Sequence, residues 1–148
     1  MLRLNITLNN LKNVEVYELA LSDVTGVKPL YNRHGGSTSL DSSLYGLRYE
    51  KVSRVRTAKL DDFRSKFDRL DFIKLDAEGL EGPILNGGSQ LISSLRPIIA
   101  VEVHRARVRS EISCGCEICN QLSRLGYTID VTGESLSAAA VHWVWAVP

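Results

Sequence analysis

Residues 71–81 read D-F-I-K-L-D-A-E-G-L-E. An apolar run of strand character leads directly into Asp76, Glu78 and Glu81, with Gly79 among them. Carboxylates at such a point have two readings. They can satisfy the free N–H groups and positive dipole of a following helix N-terminus. They can also hold a polar ligand, because open α/β sheets bind ligands outside the carboxyl ends of their strands. A second apolar run, R-P-I-I-A-V-E-V-H, carries Glu102 and His104 near its end. Strand alternation puts those two side chains on the same side. An imidazole that titrates near neutrality suits a general base or a metal ligand. If the two strands are neighbours, Asp76, Glu78 and His104 share one crevice. Oxygen ligands with an imidazole would suit Mg²⁺ or Mn²⁺, but no fixed ligand spacing demands a metal and none is expected.

Other polar clusters are less specific. Cys114, Cys116 and Cys119 are the only three cysteines, spaced C-x-C-x-x-C. Without a partner pair they read as reduced thiols at the start of a helix rather than a zinc site. N-R-H-G-G-S-T-S-L-D-S-S-L-Y-G, between two β-like runs, reads as a long loop, and loops of that length are often functional.

The elements that would position these groups follow from periodicity. Residues 1–13 have a spacing shared by helix and strand and read best as the end of a helix running into a turn, and residues 14–21, V-E-V-Y-E-L-A-L, alternate as a strand. V-K-P-L-Y and K-V-S-R-V-R-T-A-K-L are short β-like runs, and L-D-D-F-R-S-K-F starts a short helix with Asp61 as its N-cap. Leu80, Ile84, Leu85, Leu91, Ile92 and Leu95 mark one helix face from about 80 to 95, with Pro83 in its first turn. Ile118, Leu122 and Leu125 mark another helix, closed by Gly126. Y-T-I-D-V and H-W-V-W-A-V-P are final strands, joined too closely for a crossover and so antiparallel. The aromatics of H-W-V-W read as sheet core and edge. The alternation of strands and helices implies an α/β fold with a parallel sheet.

With 148 residues the chain fits one domain that buries a real core. Eighteen basic against seventeen acidic residues leave a net charge of +1, which gives no basis for a nucleic-acid or anionic-membrane partner. No secretory leader or membrane span stands out, and with the cysteine usage this points to the cytoplasm.

D-F-I-K-L-D-A-E-G-L-E-G-P-I-L-N-G-G followed by R-P-I-I-A-V-E-V-H resembles the FkbM-type methyltransferases, which use S-adenosylmethionine. The family's pattern is an apolar strand, K-[IL]-D-x-E-G-x-E, then x-x-[VIL]-L-x-G, and later R-P and a strand ending in E-x-H. This chain keeps Lys74, Asp76, Glu78, Gly79, Glu81, Leu85, Gly87, Arg96, Pro97, Glu102 and His104. Upstream, N-V-E-V-Y-E-L-A-L-S-D is similar to the family's third strand, G-G-S-T-S-L to its serine-rich loop and V-R-T-A-K-L-D-D-F to its threonine–leucine–aspartate segment.

The resemblance implies a Rossmann-like class I methyltransferase sheet, strand order 3-2-1-4-5-7-6. Residues 14–21 would be its third strand, 71–76 the fourth, 97–104 the fifth, 127–131 the sixth and 141–147 the seventh. The strand, glycine-rich turn and second strand that open such a sheet have no counterpart in these residues. Residues 1–148 are therefore expected to form a single partial methyltransferase domain, lacking the first two strands and open at a sheet edge that a second copy could pair with. It further implies O-methylation of a hydroxyl on a sugar or other small or glycan-linked acceptor. His104, Asp76 and Glu78 would be catalytic. Ala20, Leu21, Ser22 and Asp76 would contact the cofactor, and Ser37, Thr38, Ser39 and Glu102 the acceptor. The competing expectation is a non-catalytic remnant that needs a partner for the missing half.

Overall fold

The computed structural model describes residues 1–32, 38–40, 51–104, 117–132 and 141–148. The chain opens with α1 (Leu2–Leu8), a two-turn helix with no buried residue that ends in the turn at Asn9 and Asn10. β1 (Ala20–Leu21) pairs in parallel with β4 (Lys51–Ala58), and β2 (Gly26–Asn32) lies antiparallel to β4 and to β3 (Thr38–Ser39). These four strands form one sheet, in the order β1-β4-β2-β3.

A 3-10 helix (Leu60–Lys66) leads to the second half: β5 (Phe72–Leu75), α2 (Glu81–Gly87), α3 (Ser89–Leu95), β6 (Ile98–His104), α4 (Glu117–Arg124), β7 (Thr128–Thr132) and β8 (Val141–Val147). Their sheet has the order β5-β6-β8-β7. β5 and β6 are parallel; β8 is antiparallel to both β6 and β7. The antiparallel last pair expected from its short connection therefore forms.

Period-two alternation sorts this second sheet into two faces. Leu75, Ile99, Val101, Val103, Val144 and Ala146 point to the helices and join Ile84, Leu85, Leu91, Ile92, Ile118 and Leu122 in the core. Fully burying each such aliphatic side chain contributes about 1.5–3 kcal/mol, so this layer dominates stability. The opposite face carries Phe72, Ile98, Trp145 and Val147, each 38–47% exposed.

Four expectations need correction. The strands divide between two sheets instead of one truncated sheet, because β1 finds its parallel neighbour in β4 and not in β5. The strand over 14–21 shrinks to Ala20–Leu21. Upstream of it Tyr17 leaves any ladder to pack edge-on against Phe63, with centroids 5.1 Å apart, and accepts a 2.7 Å hydrogen bond from Lys66 Nζ. Asp61 is not the N-cap of its own helix. It accepts from the Gln90 and Leu91 N–H groups and so caps α3, while Asp62 accepts from the Lys59 N–H.

The helix expected over 80–95 is two helices, broken at Gly87 and Gly88. A β-carbon on Gly87 would sit 2.2 Å from the Ser22 carbonyl oxygen, and one on Gly88 2.7 Å from the Leu60 side chain. The break is where the first sheet's chain meets the second sheet's helices, backbone against backbone. No side chain fits there. Gly87→Ala is expected to lower folding stability by about 2 kcal/mol in urea unfolding, the usual scale of overpacking. Gly82→Ala, whose added carbon meets only the Ile118 side chain at 3.6 Å, is the control and should leave stability unchanged or slightly raised.

Candidate functional site

The carboxyl end of β5 turns into α2 through residues 76–80, and the carboxylates of Asp76, Glu78 and Glu81 differ in what they do. Glu81, the first residue of α2, is 5% exposed. It reaches back so that its Oε1 accepts from the Ala77 N–H at 2.9 Å and the Gly79 N–H at 3.2 Å. This is the helix-terminus reading of the motif, applied to a loop: a buried carboxylate satisfies two backbone donors that would otherwise be costly to bury. Within the clamped loop Glu78 takes φ 52° and Gly79 φ 94°. The left-handed region costs a non-glycine residue about 1–2 kcal/mol, and strain of this kind clusters at functional sites.

Asp76 stands outside the clamp. Its side chain is 37% exposed and pairs with Lys74 Nζ at 3.1 Å. Asp76 stands one residue past the end of β5, and the ion pair brings its side chain to the same side as that of Lys74. Lys74 Nζ also lies 5.5 Å from the Trp143 ring centroid, within cation–π range. Two-residue spacing in K-L-D is the sequence signal for this pair.

The structure brings together two candidate segments that are far apart in sequence. Ser39, 8% exposed on β3, donates from Oγ to the Glu78 carbonyl oxygen at 3.4 Å. The serine-rich segment of the first sheet therefore touches the carboxylate loop of the second. Thr38 beside it is exposed. Ser37 lies outside the described residues, as do Cys114 and Cys116; Cys119 is buried on α4. Glu102 lies half-buried on β6, opposite Trp143. His104 closes β6 opposite Val141, and its side chain lies outside the described residues. Next to it on the ladder, His142 is buried, and its Nδ1 has no partner among the described residues. Its place at the carboxyl end of the sheet was not evident from H-W-V-W alone.

Ala20 and Leu21 are half-buried at the end of β1. Ser22 is fully buried, and its hydroxyl donates to Asp23 Oδ1 at 2.9 Å while accepting from Lys28 Nζ at 2.8 Å. The Ser22 hydroxyl and the Lys28 ammonium hold the Asp23 carboxyl below its ordinary range. Ser22 is thus committed to the junction with Gly87. Arg96, kept in the R-P pair, is likewise structural: at φ 51° it ends α3, donates to the Leu125 and Gly126 carbonyls, and stacks 4.4 Å from the Tyr127 ring centroid. Among the described residues no group of three or more His, Cys, Asp or Glu is placed to hold a metal ion. No helix among them is long and apolar enough to cross a membrane.

The clamp makes a testable claim. Glu81→Ala is expected to cost roughly 1–3 kcal/mol, because two amide donors lose a buried acceptor. Hydrogen exchange at the Ala77 and Gly79 amides should accelerate before that of the β5 and β6 ladder. Unchanged exchange at those two amides would refute the clamp.

No curated protein and no solved structure matches the chain. The family described as the methyltransferase FkbM domain matches residues 2–129, which takes in both sheets' parallel strands, the Ser39 segment and the whole carboxylate loop. The chain belongs to the FkbM methyltransferase domain family.

Proposed function

We propose that this chain carries the acceptor side of an S-adenosylmethionine-dependent O-methyltransferase acting on a hydroxyl of a sugar or other small or glycan-linked acceptor. The observation that carries the reading is the contact of Ser39 with the Glu78 carbonyl, inside a span matched by the family. It joins two separate segments at the carboxyl end of β5, where α/β sheets bind ligands. The β5-β6-β8-β7 order, with β8 antiparallel, supports reading this sheet as the 4-5-7-6 half of a class I methyltransferase sheet.

The donor set fits the cofactor's chemistry in one respect. S-adenosylmethionine, when bound, supplies an electrophilic methyl group on a sulfonium, next to an amino group. The exposed Asp76 carboxylate and the half-buried Glu78 suit that positive charge. Ala20 and Leu21 would form an apolar wall for the adenine. Ser22, buried and doubly hydrogen-bonded, would contribute backbone only.

The protein's remaining work is alignment and proton removal. Methyl transfer is an in-line substitution, and fixing the nucleophile near its partner can remove much of the barrier. Thr38 and Ser39, with Ser37 beside them, would orient the acceptor hydroxyl, and Glu102 would accept a hydrogen bond from its neighbour. His104 would take the proton from the reacting oxygen. Lys74 would hold Asp76 in place, because its ammonium already lies 3.1 Å from that carboxylate.

Calorimetric titration of S-adenosylhomocysteine into the chain is the direct test, with saturable micromolar binding expected. Asp76→Asn should weaken that binding about tenfold, the scale of one lost charge-assisted contact. His104→Ala should leave binding unchanged and cut methyl transfer by about 10²–10⁴-fold, as for other general bases. A folded chain that does not bind would overturn the cofactor assignment; unchanged turnover in His104→Ala would overturn the base.

A further inference from the structure

The first sheet carries a basic patch that the proposed mechanism does not use. K-V-S-R-V-R-T-A-K, residues 51–59, holds four basic residues and no acid. Alternation along β4 puts Arg54 and Arg56 on one face with Val52, and the register sets Pro29 and Val27 of β2 opposite the two arginines. All five residues are exposed. Among the described residues neither guanidinium has an ion-pair or hydrogen-bond partner, and no acid shares their face. Charge on an edge strand guards against edge-to-edge pairing, but β4 lies inside its sheet, between β1 and β2. Neither arginine is half of a cross-strand ion pair, since a proline and a valine stand opposite. Arginine set among apolar side chains is instead the composition of a binding surface.

Packing against the second half of the chain bounds the patch at both ends. One row beyond Arg56, Ala58 is buried and its partner Leu21 packs against the core. One row beyond Arg54, Val52, Tyr31 and Ser39 stand in line across β4, β2 and β3, and Ser39 is the residue that reaches the Glu78 carbonyl. These strands and both contacts are made by internal elements of the chain. Rows two residues apart are separated by about 6.8 Å and neighbouring strands by about 4.8 Å, which puts the Arg54 and Ser39 α-carbons about 12 Å apart.

We propose that Arg54 and Arg56 bind an oxyanion of the acceptor, which makes the acceptor an anionic sugar bearing a phosphate or a carboxylate. This deepens the acceptor-side reading of Ser39 and rests on it. A guanidinium presents a planar fork that matches either group through two parallel hydrogen bonds. With the reacting hydroxyl at Ser39, the anionic group lies at a span on the scale of a disaccharide. The Asp76 and Glu78 carboxylates repel an anion and the arginines attract it, so charge decides which end of the acceptor enters the site.

The size of the patch selects the kind of occupant. Two strands and three rows cover on the order of 200 Å². A stable protein partner needs about 800 Å² on each side, so the stretch suits a small charged molecule and not a second chain.

A nuclear magnetic resonance titration of the full chain tests this, following the Arg54 and Arg56 Nε–Hε signals and the Ser39 backbone amide. Glucose 6-phosphate and glucuronate are the charged probes, glucose the neutral one and inorganic phosphate the bare ion. At least one charged sugar is expected to move all three signals saturably, and which one does so identifies the oxyanion. It should bind at least about tenfold more tightly than glucose or inorganic phosphate. The double variant Arg54→Gln, Arg56→Gln should lose at least about tenfold of that affinity. Arg54→Lys with Arg56→Lys should keep part of it, because the charge survives without the fork. The proposal is overturned if neither charged sugar moves the arginine signals, if inorganic phosphate binds as well as the sugars (an adventitious ion only), if Ser39 stays unmoved, or if the double variant binds unchanged. S-adenosylhomocysteine is titrated separately: a chain that binds the charged sugar but not that ligand keeps the arginine site and loses the cofactor assignment.

Discussion

Backbone meets backbone at Gly87, and the rest of the structure depends on that approach. Among the described residues, the first sheet shares no hydrogen-bonded strand with the second. It is held instead by the turn after β1, which abuts the break between α2 and α3, and by Leu60 against Gly88. Asp61 secures the same junction by capping α3 across the gap. Ser22 is fully buried there because the helix break leaves no space beside it. These contacts fix where β3 lies relative to β5, and so decide whether Ser39 can reach the Glu78 carbonyl. The candidate site is a consequence of how two sheets dock, not of either one alone.

The carboxylates after β5 show why a motif need not have one purpose. Glu81 folds the loop and Asp76 remains available, although both are acids in the same eleven residues. Burial separates them: at 5% exposure a carboxylate must be saturated with donors, and Glu81 has two amide partners. Glu78 sits between the two, its backbone forced into the left-handed region by the clamp that Glu81 makes. A loop held this way presents Asp76 and the Glu78 carbonyl at a fixed spacing, which is the preorganisation that positioning chemistry requires.

Much of the second half was legible because local rules and tertiary packing agree there. I-I-A-V-E-V-H is apolar and β-branched, and it lies in the middle of a sheet. Pro83 falls in the first turn of α2, as its missing N–H demands. The errors fall where a distant residue overrode a local pattern. V-E-V-Y-E-L alternates like a strand, yet Tyr17 is claimed by Phe63 and Lys66. The 80–95 periodicity is continuous, yet Ser22 enters at Gly87 from sixty-five residues away and breaks it. Asp61 has the position of a local cap and serves a remote helix. The site was legible as a set of residue types at a strand end. The Ser39 contact and the Glu81 clamp were not, because each is a pairing that spacing alone does not specify.

Lys74 connects the site to the open face. Its ammonium pairs with Asp76 at the strand end and lies over Trp143 on the uncovered side of the sheet. With the face exposed, water competes for that ammonium, and an exposed ion pair is worth at most about 1 kcal/mol. Covering the face removes water from Trp143 and Trp145, lowers the local dielectric and strengthens both of the contacts that Lys74 makes. Asp76 then becomes a more firmly oriented carboxylate without any change in its own surroundings. The one-sided burial of the second sheet is therefore more than an unfilled layer: the exposure of its aromatic face sets how rigidly the site's most accessible acid is held.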